Sequence, residues 1–133
     1  ILRMSLNHVI KNSEAIISIE ARGFIFGSAI SLQARKPMIV ARKPGKLPGE
    51  IVKQNYKLEY GENSLCIQKS SLNKFNDFAI IDDLLATGGT GQASCKLIEE
   101  SGGIVECFLS LIELTSLNGR KGFKIPVETL IKY

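Results

Sequence analysis

Tryptophan is absent from the 133 residues, histidine occurs once and cysteine three times. Cys66, Cys95 and Cys107 are an odd number at wide spacing, which argues against a disulfide framework. They form no Cys-x-x-Cys pair, and His8 stands far in sequence from any of them, which argues against a structural zinc site as well. No apolar run approaches the roughly 20 residues that a membrane-spanning helix needs. The first residues, Ile1-Leu2-Arg3-Met4-Ser5-Leu6, lack the cationic-then-apolar layout and the cleavage site of a signal peptide. The expectation is a reduced, cytoplasmic protein that does not engage a membrane. Position 1 is Ile and not Met, so a fragment of a longer chain is one alternative.

Acidic residues are scarce in one stretch only. Residues 35–57 hold seven of the 17 Lys and Arg and a single one of the 13 Asp and Glu, Glu50. That segment carries +6 and the rest of the chain −2, which together give the formal +4. A nucleic-acid binder spreads its cations over a face or a helix. Here they lie among Pro44, Gly45, Pro48 and Gly49, a composition that reads as a mobile loop and suits a small polyanion.

An apolar fraction of 44% and a charged fraction of 23% describe a globular chain, and 133 residues suffice for one domain, 1–133, and not for two. Leu2, Leu6, Val9 and Ile10 recur at helical spacing. Short, nearly all-apolar runs at Ala15 to Ile19, Pro37 to Ala41, Asp77 to Ile81 and Ile104 to Ile112 predict strands covered on both faces, and Val127 to Tyr133 predicts an edge strand. Phe24 to Ala34 and Thr90 to Glu100 read as helices, the second ended by Ser101-Gly102-Gly103. Gln54 to Tyr60 and Ser64 to Gln68 flank Gly61-Glu62-Asn63 as a hairpin, so a flexible basic loop and hairpin is expected over about 42–68. Strands alternating with helices imply an α/β fold with a mainly parallel sheet.

Ligands of such sheets bind beyond the carboxyl ends of the strands, which directs attention to Glu20 to Gly23, Arg42 to Gly49 and Asp82 to Thr90. The last is the most informative. A buried strand delivers two adjacent carboxylates, Asp82 and Asp83, and a loop through Ala86, Thr87, Gly88, Gly89 and Thr90 opens a helix. Glycines let backbone N–H groups approach an anion, the threonines add hydroxyl donors, and the helix N-terminus adds partial positive charge. No Gly-x-x-x-x-Gly-Lys-Ser/Thr occurs, so this is a phosphate cradle without the lysine of a P-loop. Carboxylates beside a phosphate repel it unless they face neutral hydroxyls, such as those of a ribose, or a bound Mg²⁺.

The run Ile80-Ile81-Asp82-Asp83-Leu84-Leu85-Ala86-Thr87-Gly88-Gly89-Thr90 resembles the phosphoribosyl-pyrophosphate signature of type I phosphoribosyltransferases, and its Leu-Leu-Ala-Thr form resembles the adenine-specific branch. Four further segments agree in order: Ala21-Arg22-Gly23-Phe24-Ile25-Phe26-Gly27, Arg42 to Gly49, Tyr56-Lys57-Leu58-Glu59-Tyr60-Gly61, and Ser110 to Leu117. The resemblance runs from about Ala15 to the C-terminus. It implies the type I phosphoribosyltransferase fold and transfer of a phosphoribosyl group from phosphoribosyl-pyrophosphate to adenine, giving AMP and pyrophosphate in purine salvage. By the same resemblance, Ala86 to Thr90 hold the 5′-phosphate and Asp82 and Asp83 orient the ribose hydroxyls. Mg²⁺ is expected mainly on the substrate, with no direct protein ligand assured. Arg22, Arg42, Lys43 and Lys46 face the pyrophosphate, Glu59 handles the adenine proton and Leu84 touches the purine. A homodimer is the family's usual state, and the apolar helix from Phe24 to Ala34 could contribute to its interface.

Members of this family also carry an N-terminal segment that forms a hood over the base, and nothing in these 133 residues corresponds to it. The alternatives that this leaves are a phosphoribosyltransferase for another purine, a non-catalytic nucleotide sensor of the same fold, and an incomplete fragment. A sensor of that kind normally appends a helix-turn-helix domain, which the chain does not contain.

Overall fold

Five strands lie side by side in the order β2-β1-β5-β6-β7, every neighbouring pair parallel, in a computed structural model that describes residues 10–58 and 61–133. The strands are β1 (Ala15–Ile19), β2 (Met38–Ala41), β5 (Asp77–Leu85), β6 (Ile104–Glu113) and β7 (Val127–Lys132). A separate antiparallel hairpin joins β3 (Ile51–Leu58) to β4 (Gly61–Gln68). Helix α1 (Gly23–Ala34) follows β1, the single turn α2 (Lys69–Leu72) follows β4, and α3 (Gly89–Glu100) connects β5 to β6.

The burial of the central strands follows from their composition. All five residues of β1 are buried, because side chains alternate between two faces and both faces are covered. On one face Ile17, Ile19, Phe78, Ile80 and Phe108 pack with Leu97 and Ile98 of α3 and with Leu65 and Ile67 of the hairpin. On the other, Ile16, Ala79, Ile81, Cys107 and Leu109 meet Phe26, Ile30 and Ala34 of α1. Each fully buried Ile or Phe contributes about 1.5–3 kcal/mol of transfer free energy. Helix α1 lies so close to β1 that a Cβ on Gly27 would fall 1.6 Å from Ser18 Oγ.

The structure revises two sequence expectations. Asp82 to Leu85, read as loop, continue β5, because β6 runs on beside them with Asp82 opposite Ser110 and Leu84 opposite Ile112. Gly61 to Asn63, read as a turn, belong to β4 and pair with Leu58, Lys57 and Tyr56, while β3 starts earlier, with Ile51 opposite Gln68. Gly61-Glu62-Asn63 has no apolar side chain to signal a strand, yet backbone pairing does not require one. Two short 3₁₀ turns, Thr115–Leu117 and Gly119–Gly122, lie between β6 and β7. The helix expected over Leu2 to Ile10, with His8, lies outside the described residues apart from Ile10.

Candidate active site

β1 and β5 are neighbours whose onward helices cover opposite faces of the sheet. Their loops therefore diverge at the carboxyl edge and open a crevice, the usual ligand position in this architecture. The three strand exits singled out from the sequence meet there.

The exit of β5 carries the two acids. Asp83 Oδ2 pairs with Arg22 Nε at 2.7 Å, which ties the exit of β5 to that of β1. The N–H of Asp83 donates to Asp82 Oδ1 at 2.8 Å. Gly23, first residue of α1, leaves room for Asp82, since a Cβ there would stand 3.2 Å from Oδ1. Burial, then the adjoining Asp83 carboxyl, push the Asp82 carboxyl from 3.8 up to about 8, against the opposing charge of Arg22.

Beyond Leu85 the backbone turns through Ala86, Thr87 and Gly88 into α3. Gly88 has φ 89 and caps the helix, a conformation that a side chain disfavours. Its first-turn N–H groups have no partner inside the helix. A cavity of about 60 Å³ lies here, lined by Asp82, Leu84, Ala86, Thr87, Gly88, Gly89 and Thr90 among others. Leu84 is half-buried in its wall. The hairpin reaches over this loop: Lys57 O and Tyr56 Cδ2 lie 3.7 and 3.8 Å from where a Gly89 Cβ would be. Glu59 and Tyr60, next in the sequence, lie outside the described residues.

The exit of β2 carries the cations. Arg42 is fixed by its backbone, bridging to Cys66 of β4 through bonds of 2.9 and 2.7 Å, and its guanidinium lies 6.0 Å from the Phe24 ring centroid. Glu20 gathers this segment. Its carboxylate, 7% exposed, accepts the Lys43 backbone N–H, pairs with Lys46 Nζ at 2.9 Å and sits 3.6 Å from Arg42 Nε. Burial pushes the Glu20 carboxyl up, but the Lys46 ammonium, the Lys43 N–H and the Arg42 charge outweigh it and hold the group below the usual carboxylate range. Arg42 and Lys46 thus converge on Glu20, and the Lys43 side chain stays exposed.

A third wall comes from the segment after β6. Gly119 is buried against the cradle backbone, where a Cβ would lie 2.3 Å from Ala86 O and 3.1 Å from Gly88 N. The late sequence motif ended at Leu117, short of Gly119, and Glu20 was given no role of its own. The second had a visible signal, a carboxylate at the end of an all-buried strand. The first had none short of the fold.

No family model matches the chain. An adenine phosphoribosyltransferase of Prochlorococcus marinus (strain MIT 9515) is 62% identical over 133 residues, which is 100% of this chain and 78% of that protein. The crystal structure of the adenine phosphoribosyltransferase of Thermoanaerobacter pseudethanolicus superposes with a TM-score of 0.89 at 42% identity, over 98% of this chain and 78% of that one. The Saccharomyces cerevisiae enzyme, in complex with an imino-altritol bisphosphate and adenine, gives a TM-score of 0.88 at 34% identity over 97% and 74%. The central parallel sheet with helices on both faces is theirs, and the chain belongs to the adenine phosphoribosyltransferase family.

Proposed function

We infer that the protein transfers the 5-phosphoribosyl group from 5-phosphoribosyl-1-pyrophosphate to adenine, giving AMP and pyrophosphate. The observation that carries this reading is the β5 exit, where two adjacent carboxyls lead into a lysine-free, glycine-lined anion cradle. Such a pairing suits a sugar phosphate: N–H groups for the phosphate, carboxylates for the hydroxyls beside it.

The reaction breaks the bond from ribose C1′ to pyrophosphate oxygen and forms one from C1′ to N9 of adenine. Positive character grows on C1′ and negative charge on the departing group, so stabilising charge where it develops is the main catalytic task. Ala86, Thr87, Gly88, Gly89 and Thr90 hold the 5′-phosphate in this reading. Asp83, paired with Arg22, and Asp82 accept from the ribose hydroxyls. Arg22 is exposed enough for its remaining N–H donors to turn to the pyrophosphate. Arg42, Lys43 and Lys46 complete that cluster, the arginine by its fork and the lysines as mobile charges. Glu59 takes or relays the imidazole proton of adenine, and Leu84 packs on the purine.

The donor set next to the cradle is two carboxylates, and it fits a Mg²⁺ ion that keeps most of its shell on water and substrate oxygens. Asp82 and Asp83 are the residues that would hold it, and when bound it supplies countercharge to the pyrophosphate. The loop around Lys46 serves as a lid that excludes competing water. Exposed Ile25 and Leu32 on α1, at 66% and 83%, support a homodimer through that helix. No helix among the described residues is long and apolar enough to cross a membrane, and the thiols of Cys66 and Cys95 suit a cytoplasmic setting. The confinement of basic charge to residues 35–57 favours small-molecule partners over nucleic acid.

AMP formation from adenine and phosphoribosyl-pyrophosphate with Mg²⁺ tests this, with hypoxanthine, xanthine and guanine in parallel. Turnover of adenine above the others is expected. Equal use of another base, or silence with all four while AMP still binds, would refute the assignment.

A further inference from the structure

We propose that Arg120, clamped to Glu113, is a positioning residue that sets the shape of the phosphate cradle through the backbone of Gly119. The proposal rests on the reading of Ala86 to Thr90 as the 5′-phosphate site.

Three observations lead to it. Glu113 ends β6 with its carboxylate 7% exposed, where a charge needs partners. Arg120 supplies them in a fork: Nε donates to Oε1 at 3.1 Å and Nη2 to Oε2 at 2.7 Å. The guanidinium also donates to Val127 O and, at 3.3 Å, to Thr129 Oγ1 on β7, and that hydroxyl donates to Glu113 Oε2 at 2.8 Å. The pair therefore bolts residue 120 to the ends of two sheet strands. The Arg120 hydrogen bond first, then the Thr129 hydroxyl and nearby positive charge, hold the Glu113 carboxyl below the usual range in spite of its burial.

The residue just before Arg120 touches the cradle. Gly119 fits only because it lacks a side chain, with Ala86 O 2.3 Å from a would-be Cβ. The contact is mutual, since a Cβ on Gly88 would stand 2.7 Å from Gly119 O. Nothing softer than backbone lies between the strut and the anion-binding loop. Arg120 is not among the residues that line the cavity, and its effect on a ligand passes through Gly119. An anion site gains affinity when its N–H groups are held in place before the ligand arrives. A five-donor fork on a rigid sheet edge does this for a loop that has no charged side chain of its own.

The test compares the intact protein with Arg120→Met and Arg120→Lys, by calorimetry with ribose 5-phosphate and with pyrophosphate, and by hydrogen exchange at residues 86–90. Arg120→Met is expected to weaken ribose 5-phosphate about tenfold, ~1.4 kcal/mol, to leave pyrophosphate unchanged, and to quicken exchange in the cradle. Arg120→Lys keeps the charge with fewer donors and is expected to recover part of the loss. Unchanged ribose 5-phosphate affinity in Arg120→Met, or equal losses for both ligands, overturns the proposal. If Arg120→Met does not fold, Arg120→Lys decides alone, and exchange at 86–90 equal to that of the unaltered protein is then the refuting result. A native protein that fails to bind ribose 5-phosphate would sink the 5′-phosphate reading itself, a different outcome from a native protein that binds it as well as the variants do.

Discussion

Gly88 and Gly102 offer a controlled measurement of how tightly the cradle is built. Their backbones share a left-handed φ, 89 and 88. A Cβ at Gly102 would meet nothing within 4 Å, whereas at Gly88 it would lie 2.7 Å from Gly119 O and 2.9 Å from Gln92 Nε2. Gly102→Ala therefore reports the cost of the left-handed backbone alone, about 1–2 kcal/mol for an L-residue. Gly88→Ala carries the same cost plus a clash with a carbonyl that Arg120 keeps from retreating. Overpacking against a fixed neighbour costs about 1–3 kcal/mol, so Gly88→Ala is expected to lose about 2–5 kcal/mol in all. For a domain of this size each kcal/mol lowers Tm by roughly 3–5 °C. Urea unfolding of both variants gives the stability difference, and the KM for phosphoribosyl-pyrophosphate gives the functional one. Gly102→Ala is expected to keep the native KM, and Gly88→Ala to raise it at least tenfold. Equal destabilisation in the two variants, with equal KM values, would show that the loop yields easily and that its shape is not what binds the phosphate.

Asp82 titrates high in the fold, so the folded state binds its proton more tightly than the unfolded chain does. The stability that this gives is complete below pH 3.8 and lost as pH rises to about 8. Asp82→Asn is expected to unfold at higher urea than the unaltered protein by a margin that grows from pH 5 to pH 8 (roughly, with the interval set by those two values), and parallel pH profiles would count against the burial argument. Asp83→Asn removes the partner of Arg22 and is expected to raise the KM for phosphoribosyl-pyrophosphate well above any change in that for adenine; an unchanged donor KM refutes the ribose role. Glu59→Leu is expected to lower kcat about 10²–10⁴-fold with little change in donor binding, and native turnover would dismiss the proton role.

The sheet was legible because its signal is local. A run such as Ala15 to Ile19 can hardly be anything but a strand covered on both faces, and Gly102-Gly103 ends a helix wherever it stands. The cradle was legible for a similar reason, since Asp82 to Thr90 are contiguous and their chemistry is visible in one reading frame. Strand ends were less so. Asp82 to Leu85 are held in β5 by the partner strand 28 positions on, at Ser110 to Glu113, and no property of the segment itself reports that pairing. Likewise Gly61 to Asn63 carry turn-forming residues, yet the register of the hairpin places them in a strand.

The contacts that shape the site from behind are the least legible of all, and physics explains why. Glu20 and Glu113 are two carboxylates at the same edge of the sheet, each with its side chain 7% exposed, and each is neutralised by cations from the loop beside it. Glu20 holds Lys46 and Arg42 across more than 20 positions of chain. Glu113 holds Arg120 across seven, through a turn with no periodic pattern. A composition scan sees Arg120 as one more basic residue among 17. Only burial separates it from the rest, because a carboxylate shut away from water cannot stay ionised without a partner. Each acid therefore selects one cation and fixes the loop that carries it, one at the proposed pyrophosphate end of the crevice and one behind the phosphate cradle. The cost of removing either partner is then felt at the ligand, where neither acid makes contact.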